Sequence, residues 1–237
     1  MSYSNFQSQA SNHKSDNYVI IVAGGSGTRM HTAIPKQFLL LKGKPVLMHT
    51  IQAFYNSDSK PSVILVLHVD FHSYWEQLCK EHGFHIPVKL IQGGETRFHS
   101  VKNGLNAIDD SSNFIIAIHD AVRPLISKRI IESSYKHAAQ YGNAIVAIKS
   151  RDSVREVREN ISKTLVREEI YLIQTPQTFQ SLQLKKGYIQ NYRSTFTDDA
   201  SVVEATGVKI NLIEGSYKNL KITFPEDIGI LELLMHK

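Results

Sequence analysis

The chain has 237 residues, 42% of them hydrophobic and 21% charged, an ordinary globular composition with ample length for one sizeable core. A net charge of +5 favours anionic ligands, but the longest Lys/Arg runs are the pairs Lys128-Arg129 and Lys185-Lys186, so the clustered stripe of a nucleic-acid binder is missing. No apolar run approaches the roughly 20 residues that span a bilayer, and one cysteine, Cys79, excludes an intrachain disulfide and suits a reducing compartment.

Residues 1–17 are rich in Ser, Asn and Gln and carry no apolar h-region, so they read as a flexible tail rather than a signal peptide. A cytoplasmic protein is expected, with one domain over 18–237. Short apolar, β-branched runs predict strands at Tyr18–Ala23, Ser62–His68, Val88–Ile91, Phe114–His119 and Asn143–Ile148. Helices are predicted between them at Val46–Tyr55, Phe71–His82, Arg97–Ile108 and Lys128–Tyr141, with Gly83 and Gly142 closing two of them. This alternation implies a Rossmann-like α/β fold, its sheet mostly parallel with helices on both faces. Ligands of such sheets bind beyond the carboxyl ends of the strands, where the loop after Val22 and the pair His119-Asp120 both fall.

The rhythm breaks at Arg151. Charged and apolar residues alternate over 151–169, which predicts a two-stranded β-arm turning near Glu159-Asn160. An isolated hairpin is marginal in water, so this arm must lean on something. Regular α/β then resumes, with helices near Leu182–Asn191 and Asp198–Thr206, strands near Val208–Ile213 and Leu220–Thr223, and a last helix after Pro225.

The most informative stretch is Val19–Gln37, VIIVAGGSGTRMHTAIPKQ. A strand runs into Ala23-Gly24-Gly25-Ser26-Gly27, whose glycines permit a tight turn with N–H groups facing a ligand. Arg29 and Lys36 follow as a fork and a point charge that suit the phosphates of a nucleotide. The dinucleotide fingerprint fails because Met30 stands where its third glycine belongs, and no Gly-Lys-Ser/Thr completes a P-loop. The histidine pairs His68/His72 and His82/His85 lack a third convergent ligand, which argues against structural zinc.

AGGSGTRM and PKQF resemble the signature of nucleotidyltransferases that make sugar-nucleotide-type products. GGETRFHSVKNGL (93–105), HDAVRP (119–124), RDS (151–153), VRE (166–168), QTPQTF (174–179), TDDASVVEATG (197–207) and NLKIT (219–223) follow in order. Together these blocks resemble the 2-C-methyl-D-erythritol 4-phosphate cytidylyltransferases of the non-mevalonate isoprenoid pathway. The ribitol 5-phosphate cytidylyltransferases share several of them.

The resemblance implies transfer of CMP from CTP to 2-C-methyl-D-erythritol 4-phosphate, with Mg²⁺ assisting and pyrophosphate leaving. Ribitol 5-phosphate is the alternative acceptor, and a non-catalytic nucleotide-binding regulator is the alternative of another class. By resemblance Arg29, Lys36 and Lys221 act on the triphosphate, and Ala23, Gly24, Gly25, Ser26 and Gly27 form its loop. Gly93, Gly94, Glu95 and Ser100 read the cytosine, although the family often has Asp where Glu95 stands. Asp120 is implied as the Mg²⁺ ligand or a partner of the acceptor hydroxyls, and Arg123 as an acceptor-phosphate ligand. Ser153 and Arg167 match positions that reach the acceptor from the arm of a second subunit, which implies a homodimer with exchanged arms. Thr175, Thr197 and Asp198 complete the acceptor side. Two bland readings stand beside these: Asp198 as a helix-initiating aspartate, and Lys221 as a snorkelling lysine in a strand.

Overall fold

The computed structural model describes residues 17–23, 34–109 and 113–235. The tail through residue 16 and the loop residues Gly24, Gly25, Ser26, Gly27 and Arg29 lie outside these. Five strands form the parallel frame: β1 (Asn17–Val22), then, after the two-residue strands β2 (Leu40–Leu41) and β3 (Lys44–Pro45), β4 (Ser62–Leu67), β5 (Lys89–Gln92), β6 (Ile115–Asp120) and, farther out, β7 (Asn143–Lys149). Helices α1 (Val46–Tyr55), α2 (His72–Glu81), α3 (Arg97–Asn106) and α4 (Lys128–Tyr141) connect them. The five frame strands and four helices match the sequence expectation to within two residues at each end, whereas β2 and β3 were not expected, and Gly83 and Gly142 take positive φ (56° and 94°) just past their helices, as expected.

Continuing along the chain come β8 (Arg155–Arg158), β9 (Ile161–Thr164), β10 (Tyr171–Gln180), α5 (Ser181–Ile189), α6 (Asp199–Glu204), β11 (Leu212–Glu214) and α7 (Glu226–Leu234). The main sheet has seven strands in the order β11-β7-β10-β6-β1-β4-β5. Its neighbours are parallel except at β10, which runs antiparallel to both β6 and β7. From β1 the chain winds outward through β4 to β5, then crosses back to β6 on the other side. The C-terminal ends of β1 and β6 therefore flank a topological switch point, where open α/β sheets bind ligands. Val22 sits in register with Asp120 at that edge.

Alternating residues of each strand feed opposite cores. Val19, Ile21, Val63 and Leu65 pack with Leu47, Met48 and Ile51 of α1, Trp75 of α2 and Ile131 of α4. Ile20, Ile64, Val66, Ile116 and Ile118 pack with Val101 and Leu105 of α3 and Leu184 of α5. This period of two in continuously apolar strands is what burial on both faces requires. A third, smaller cluster joins Leu41, Val46, Val122, Ile222 and Leu231, and so ties the loop after β6 to the chain's last quarter. On α3, a Cβ at Gly104 would stand 2.8 Å from Ile20 Cγ2 and 3.0 Å from Val66 Cγ2, so glycine sets how closely this helix approaches the sheet.

The expected arm is present. β8 and β9 pair antiparallel, from Arg155 opposite Thr164 to Arg158 opposite Ile161, and Glu159 and Asn160 both have positive φ (48° and 64°), as a two-residue hairpin turn demands. Two expectations need correction. Leu220–Thr223 forms no strand: among the described residues its backbone makes one bond to the neighbouring loop, Ile222 N–H to the Val122 carbonyl at 3.0 Å, and no ladder. The strand expected over Val208–Ile213 is reduced and shifted to Leu212–Glu214. The ten-residue β10 was not foreseen, since Gln174, Thr175, Pro176 and Gln177 interrupt its apolar pattern and its register shifts between Ile173 and Gln177.

Candidate active site

A cleft of about 280 Å³ opens beyond the carboxyl end of β6. It is lined by Asp120, Arg123, Thr175, Thr197, Asp198 and Lys221, six residues singled out in the sequence, and by Arg97, Gln174 and Gln177, which were given no role there. They arrive from the first turn of α3, the end of β6, the bend in β10, the start of α6 and the loop before α7.

Asp120 is the centre of the cleft. Its Oδ2 lies 3.2 Å from Arg123 Nε and 3.0 Å from Lys221 Nζ, and its Oδ1 lies 3.8 Å from Arg97 Nε. Burial by itself would raise this carboxyl, whose side chain is only 11% exposed. The charges of Arg97, Lys221 and Arg123 together outweigh burial and hold it well below the usual carboxylate range. Asp120 is therefore ionised at any physiological pH.

The turn that carries Asp120 and Arg123 is fixed through its backbone. Asp120 N–H donates to Thr175 Oγ1 (3.1 Å), Ala121 N–H to the Val22 carbonyl (3.1 Å) and Arg123 N–H to the Asp120 carbonyl (3.2 Å). In return the Ala121 carbonyl accepts from Thr50 Oγ1 of α1 (2.7 Å). The Arg123 carbonyl lies 3.2 Å from His119 Nε2, and Arg123 Nη1 donates to the Asn219 carbonyl (2.8 Å). A loop pinned at each position holds its side chains in one place, as a site built for charge stabilisation needs.

Arg97 is aimed into the cleft from behind. Its Nη1 and Nη2 donate to Asp199 Oδ1 (2.9 Å) and Oδ2 (2.7 Å), and Asp199, fully buried, also accepts from Tyr188 Oη (2.6 Å). Burial opposes the Arg97 charge, but Asp199 and then Asp120 outweigh it and keep the guanidinium firmly protonated. The doublet Asp198-Asp199 divides its work. Asp198 caps α6 in a capping box with Ser201 (Ser201 N–H to Oδ1, 2.8 Å) and accepts from Gln177 Nε2 (2.9 Å), so the helix-initiating reading holds while the residue also lines the cleft. The sequence marked Asp198 as a helix start, but nothing in it marked Asp199 as the buried partner of Arg97.

The other expected residues fall around this centre. Lys36, in a 3₁₀ turn at Lys36–Phe38, donates from Nζ to the Ile222 carbonyl (2.9 Å), one residue beyond Lys221. Ala23 is buried, with its N–H on the Val66 carbonyl (2.8 Å) and its own carbonyl accepting from Gln37 Nε2 (2.9 Å), so Gln37 anchors the start of the glycine loop. Gly94 N–H donates to Ser100 Oγ (3.0 Å), and a Cβ on Gly94 would meet His99 Cβ at 2.5 Å. Ser100 is thus the buried strut of the Gly93-Gly94 turn, and Glu95 beside it is exposed. Ser153 and Arg167 sit on the arm, exposed and not part of the cleft wall, with Arg167 Nη2 3.0 Å from the adjacent Glu168.

Among the described residues no group of three His, Cys, Asp or Glu side chains is placed to hold a metal, and no helix is long and apolar enough to cross a membrane. A cation-rimmed, carboxylate-centred cleft at the switch point of this sheet defines a nucleotidyltransferase-like α/β protein. The sequence profile of the 2-C-methyl-D-erythritol 4-phosphate cytidylyltransferase (IspD) family matches residues 18–237, and the chain belongs to that family of enzymes. It is 48% identical over 219 residues to the 2-C-methyl-D-erythritol 4-phosphate cytidylyltransferase of Azobacteroides pseudotrichonymphae, covering 92% of this chain and 98% of the relative. The crystal structure of 4-diphosphocytidyl-2C-methyl-D-erythritol synthase from Anaerococcus prevotii superposes with a TM-score of 0.79 at 27% identity, covering 93% of this chain and 96% of that one. The Francisella tularensis 2-C-methyl-D-erythritol 4-phosphate cytidylyltransferase gives 0.76 at 33% identity, over 92% and 98% of the two chains.

Burial in the fully enclosed space behind Asp120 lowers the His119 pKa to about 4, and the neighbouring Asp120 only partly offsets it. The unfolded chain then binds the extra proton first, so this residue's contribution to stability is complete above about pH 6.5 and is lost as pH falls toward 4. In metal-free buffer the unfolding free energy should drop by about 3 kcal/mol more over that window in the wild type than in His119→Gln. Urea titrations at pH 7.5, 6, 5 and 4 measure it, and parallel curves for the two proteins contradict the burial-based shift.

Proposed function

We propose that this enzyme transfers CMP from CTP to 2-C-methyl-D-erythritol 4-phosphate, releasing pyrophosphate and giving 4-diphosphocytidyl-2-C-methyl-D-erythritol for isoprenoid biosynthesis. The observation that carries the reading is the convergence of Arg97, Arg123 and Lys221 on the Asp120 carboxylate at the β1/β6 switch point. The acceptor comes from the names of the relatives. Membership over nearly the whole chain favours it over ribitol 5-phosphate and over a regulator without catalysis.

In this reading an oxygen of the acceptor phosphate attacks the α-phosphorus of CTP, and the bond to the β-phosphate oxygen breaks as pyrophosphate departs. No protein nucleophile is needed; positioning and charge stabilisation do the work. Lys36, Lys221 and Arg29, the last outside the described residues, hold the triphosphate and oppose the charge growing on it. Gly24, Gly25, Ser26 and Gly27, also outside the described residues, supply backbone N–H groups, with Ala23 fixing the loop's first residue. The Gly93-Gly94 turn faces the base, braced by Ser100, with Glu95 beside it. Arg123, Thr175, Thr197 and Asp198 form the acceptor side.

Asp120 suits Mg²⁺ that arrives with its nucleotide, because this ion commonly takes one or two carboxylates together with substrate phosphates and water. Asp120 Oδ1, whose nearest cation among the described residues is Arg97 Nε at 3.8 Å, is the less engaged oxygen and the fitting ligand. Bound there, Mg²⁺ supplies charge neutralisation between the phosphates. Incubation with each of CTP, ATP, GTP and UTP and with each polyol phosphate, followed by a pyrophosphate assay, tests the reading. Release should require CTP, the methylerythritol acceptor and divalent metal. Equal release with ATP, or undiminished release in excess EDTA, contradicts it.

We further propose a cytoplasmic homodimer in which each arm completes the partner's acceptor site through Ser153 and Arg167. The arm's Val157 and Ile161 are 65% and 74% exposed, and Tyr171, Leu172 and Ile173 at its root are also open, an apolar surface that an isolated hairpin has no reason to carry. Among the described residues Arg167 pairs with its exposed neighbour Glu168 alone, whereas a phosphate would take its fork bidentately. The free thiol of Cys79 agrees with a reducing compartment. Mixing inactive Lys36→Ala with inactive Arg167→Ala chains should restore activity on subunit exchange, because one site per mixed dimer then holds both intact residues. Mixed dimers that stay inactive, or an active monomer in sedimentation, contradict arm exchange.

A further inference from the structure

His119 is fully buried one residue before Asp120, and its ring packs edge-on against Phe54 of α1, with centroids 4.9 Å apart. The imidazole reaches both ends of the turn that carries Asp120 and Arg123, the Arg123 end directly and the Asp120 end through Thr175. The Arg123 carbonyl, 3.2 Å from Nε2, only accepts, so Nε2 bears the hydrogen. A neutral ring then leaves a lone pair on Nδ1, which accepts from Thr175 Oγ1 at 3.1 Å. That hydroxyl in turn accepts the Asp120 N–H at 3.1 Å. The chain of bonds is closed and directional: Asp120 N–H to Thr175 hydroxyl, Thr175 hydroxyl to His119, His119 to the Arg123 carbonyl.

We propose that His119 is a positioning residue for nucleotidyl transfer: through this chain of hydrogen bonds it fixes the Asp120–Arg123 turn, and with it the carboxylate and guanidinium that face the substrates. The inference rests on the function proposed above and adds a residue that touches no substrate. An apolar isostere would pack in the same space, but Thr175 would lose its acceptor and the buried Arg123 carbonyl its donor. The turn would then be free to shift by the few tenths of an ångström that such sites do not tolerate.

Three variants separate positioning from packing. His119→Leu removes both bonds, His119→Gln keeps a donor toward the Arg123 carbonyl, and His119→Asn keeps an acceptor toward Thr175. Loss of an outer partner that orients a site residue commonly costs about 10–100-fold, and His119→Leu should lower kcat by that amount with KM for CTP within about threefold. His119→Gln should recover a large part of kcat. A folded His119→Leu protein with wild-type kcat overturns the proposal, as does a loss in kcat that merely follows the fraction unfolded. If His119→Leu does not fold, equal kcat in His119→Gln, His119→Asn and wild type overturns it. One readout needs no activity: in ¹⁵N-histidine-labelled wild type at pH 7.5, His119 should show the neutral Nε2–H tautomer. An Nδ1–H tautomer overturns the bond chain. Should wild type fail to turn over CTP with the methylerythritol acceptor, the proposed function falls while this spectrum still judges His119.

Discussion

One buried carboxylate organises this protein's cleft. Asp120 sits where water is nearly excluded, and an ionised group there is costly unless it is paired. Arg97, Arg123 and Lys221 pair it from three sides, and it in turn keeps three cations from repelling one another while no anion is bound. The same charges are therefore stable in the free protein and available to a polyphosphate. Such a site costs little reorganisation when its substrate arrives, which is the condition for electrostatic catalysis.

The fold exists, in this sense, to bring four distant stretches of chain to one carboxylate. The reversal of strand order between β1 and β6 opens the crevice. The antiparallel β10, inserted between β6 and β7, brings Gln174, Thr175 and Gln177 back to the strand end that a purely parallel sheet would leave to loops. Behind these, Asp199 and Tyr188 hold Arg97, and Asn219 accepts from Arg123 through its carbonyl while its Nδ2 donates to the Thr175 carbonyl (2.8 Å). The small apolar cluster around Val122 and Ile222 ties the Asp120 loop to the segment that carries Lys221. The residues that face the cleft are few, and most of the polar side chains around it serve to aim them.

Much of the architecture is legible in the sequence because it obeys local rules. The two-sided strands are continuous β-branched runs, two of the helices end at glycines, and the arm's turn falls on Glu159-Asn160. Six cleft residues could be named because they lie in blocks that resemble a known family. What escaped was decided by tertiary context. β10 looks too polar for a central strand, since its Gln174, Thr175 and Gln177 bond to groups around the cleft rather than to solvent. Lys221 lies in a segment with strand-like composition, yet one backbone bond and the Lys36 contact to Ile222 hold it where a ladder was expected. Asp198 is readable as a helix start, but the buried pairing of its neighbour Asp199 with Arg97 and Tyr188 is not. His119 carries no signal beyond its neighbour, and only the geometry reveals its bonds to the Arg123 carbonyl and to the Thr175 hydroxyl that holds Asp120.

The most direct measurement of this account is the unfolding free energy of Asp120→Asn, taken with and without pyrophosphate. Removing one partner from a buried charge cluster commonly costs about 3–5 kcal/mol, and Asp120→Asn should lose an amount in that range because three cations are left facing one another. Added pyrophosphate should restore much of it, and should stabilise the variant more than it stabilises the wild type, since the anion takes the place of the missing charge. An Asp120→Asn protein as stable as the wild type, or one that gains no more than the wild type from pyrophosphate, would contradict the claim that this carboxylate holds the cations of the site in place.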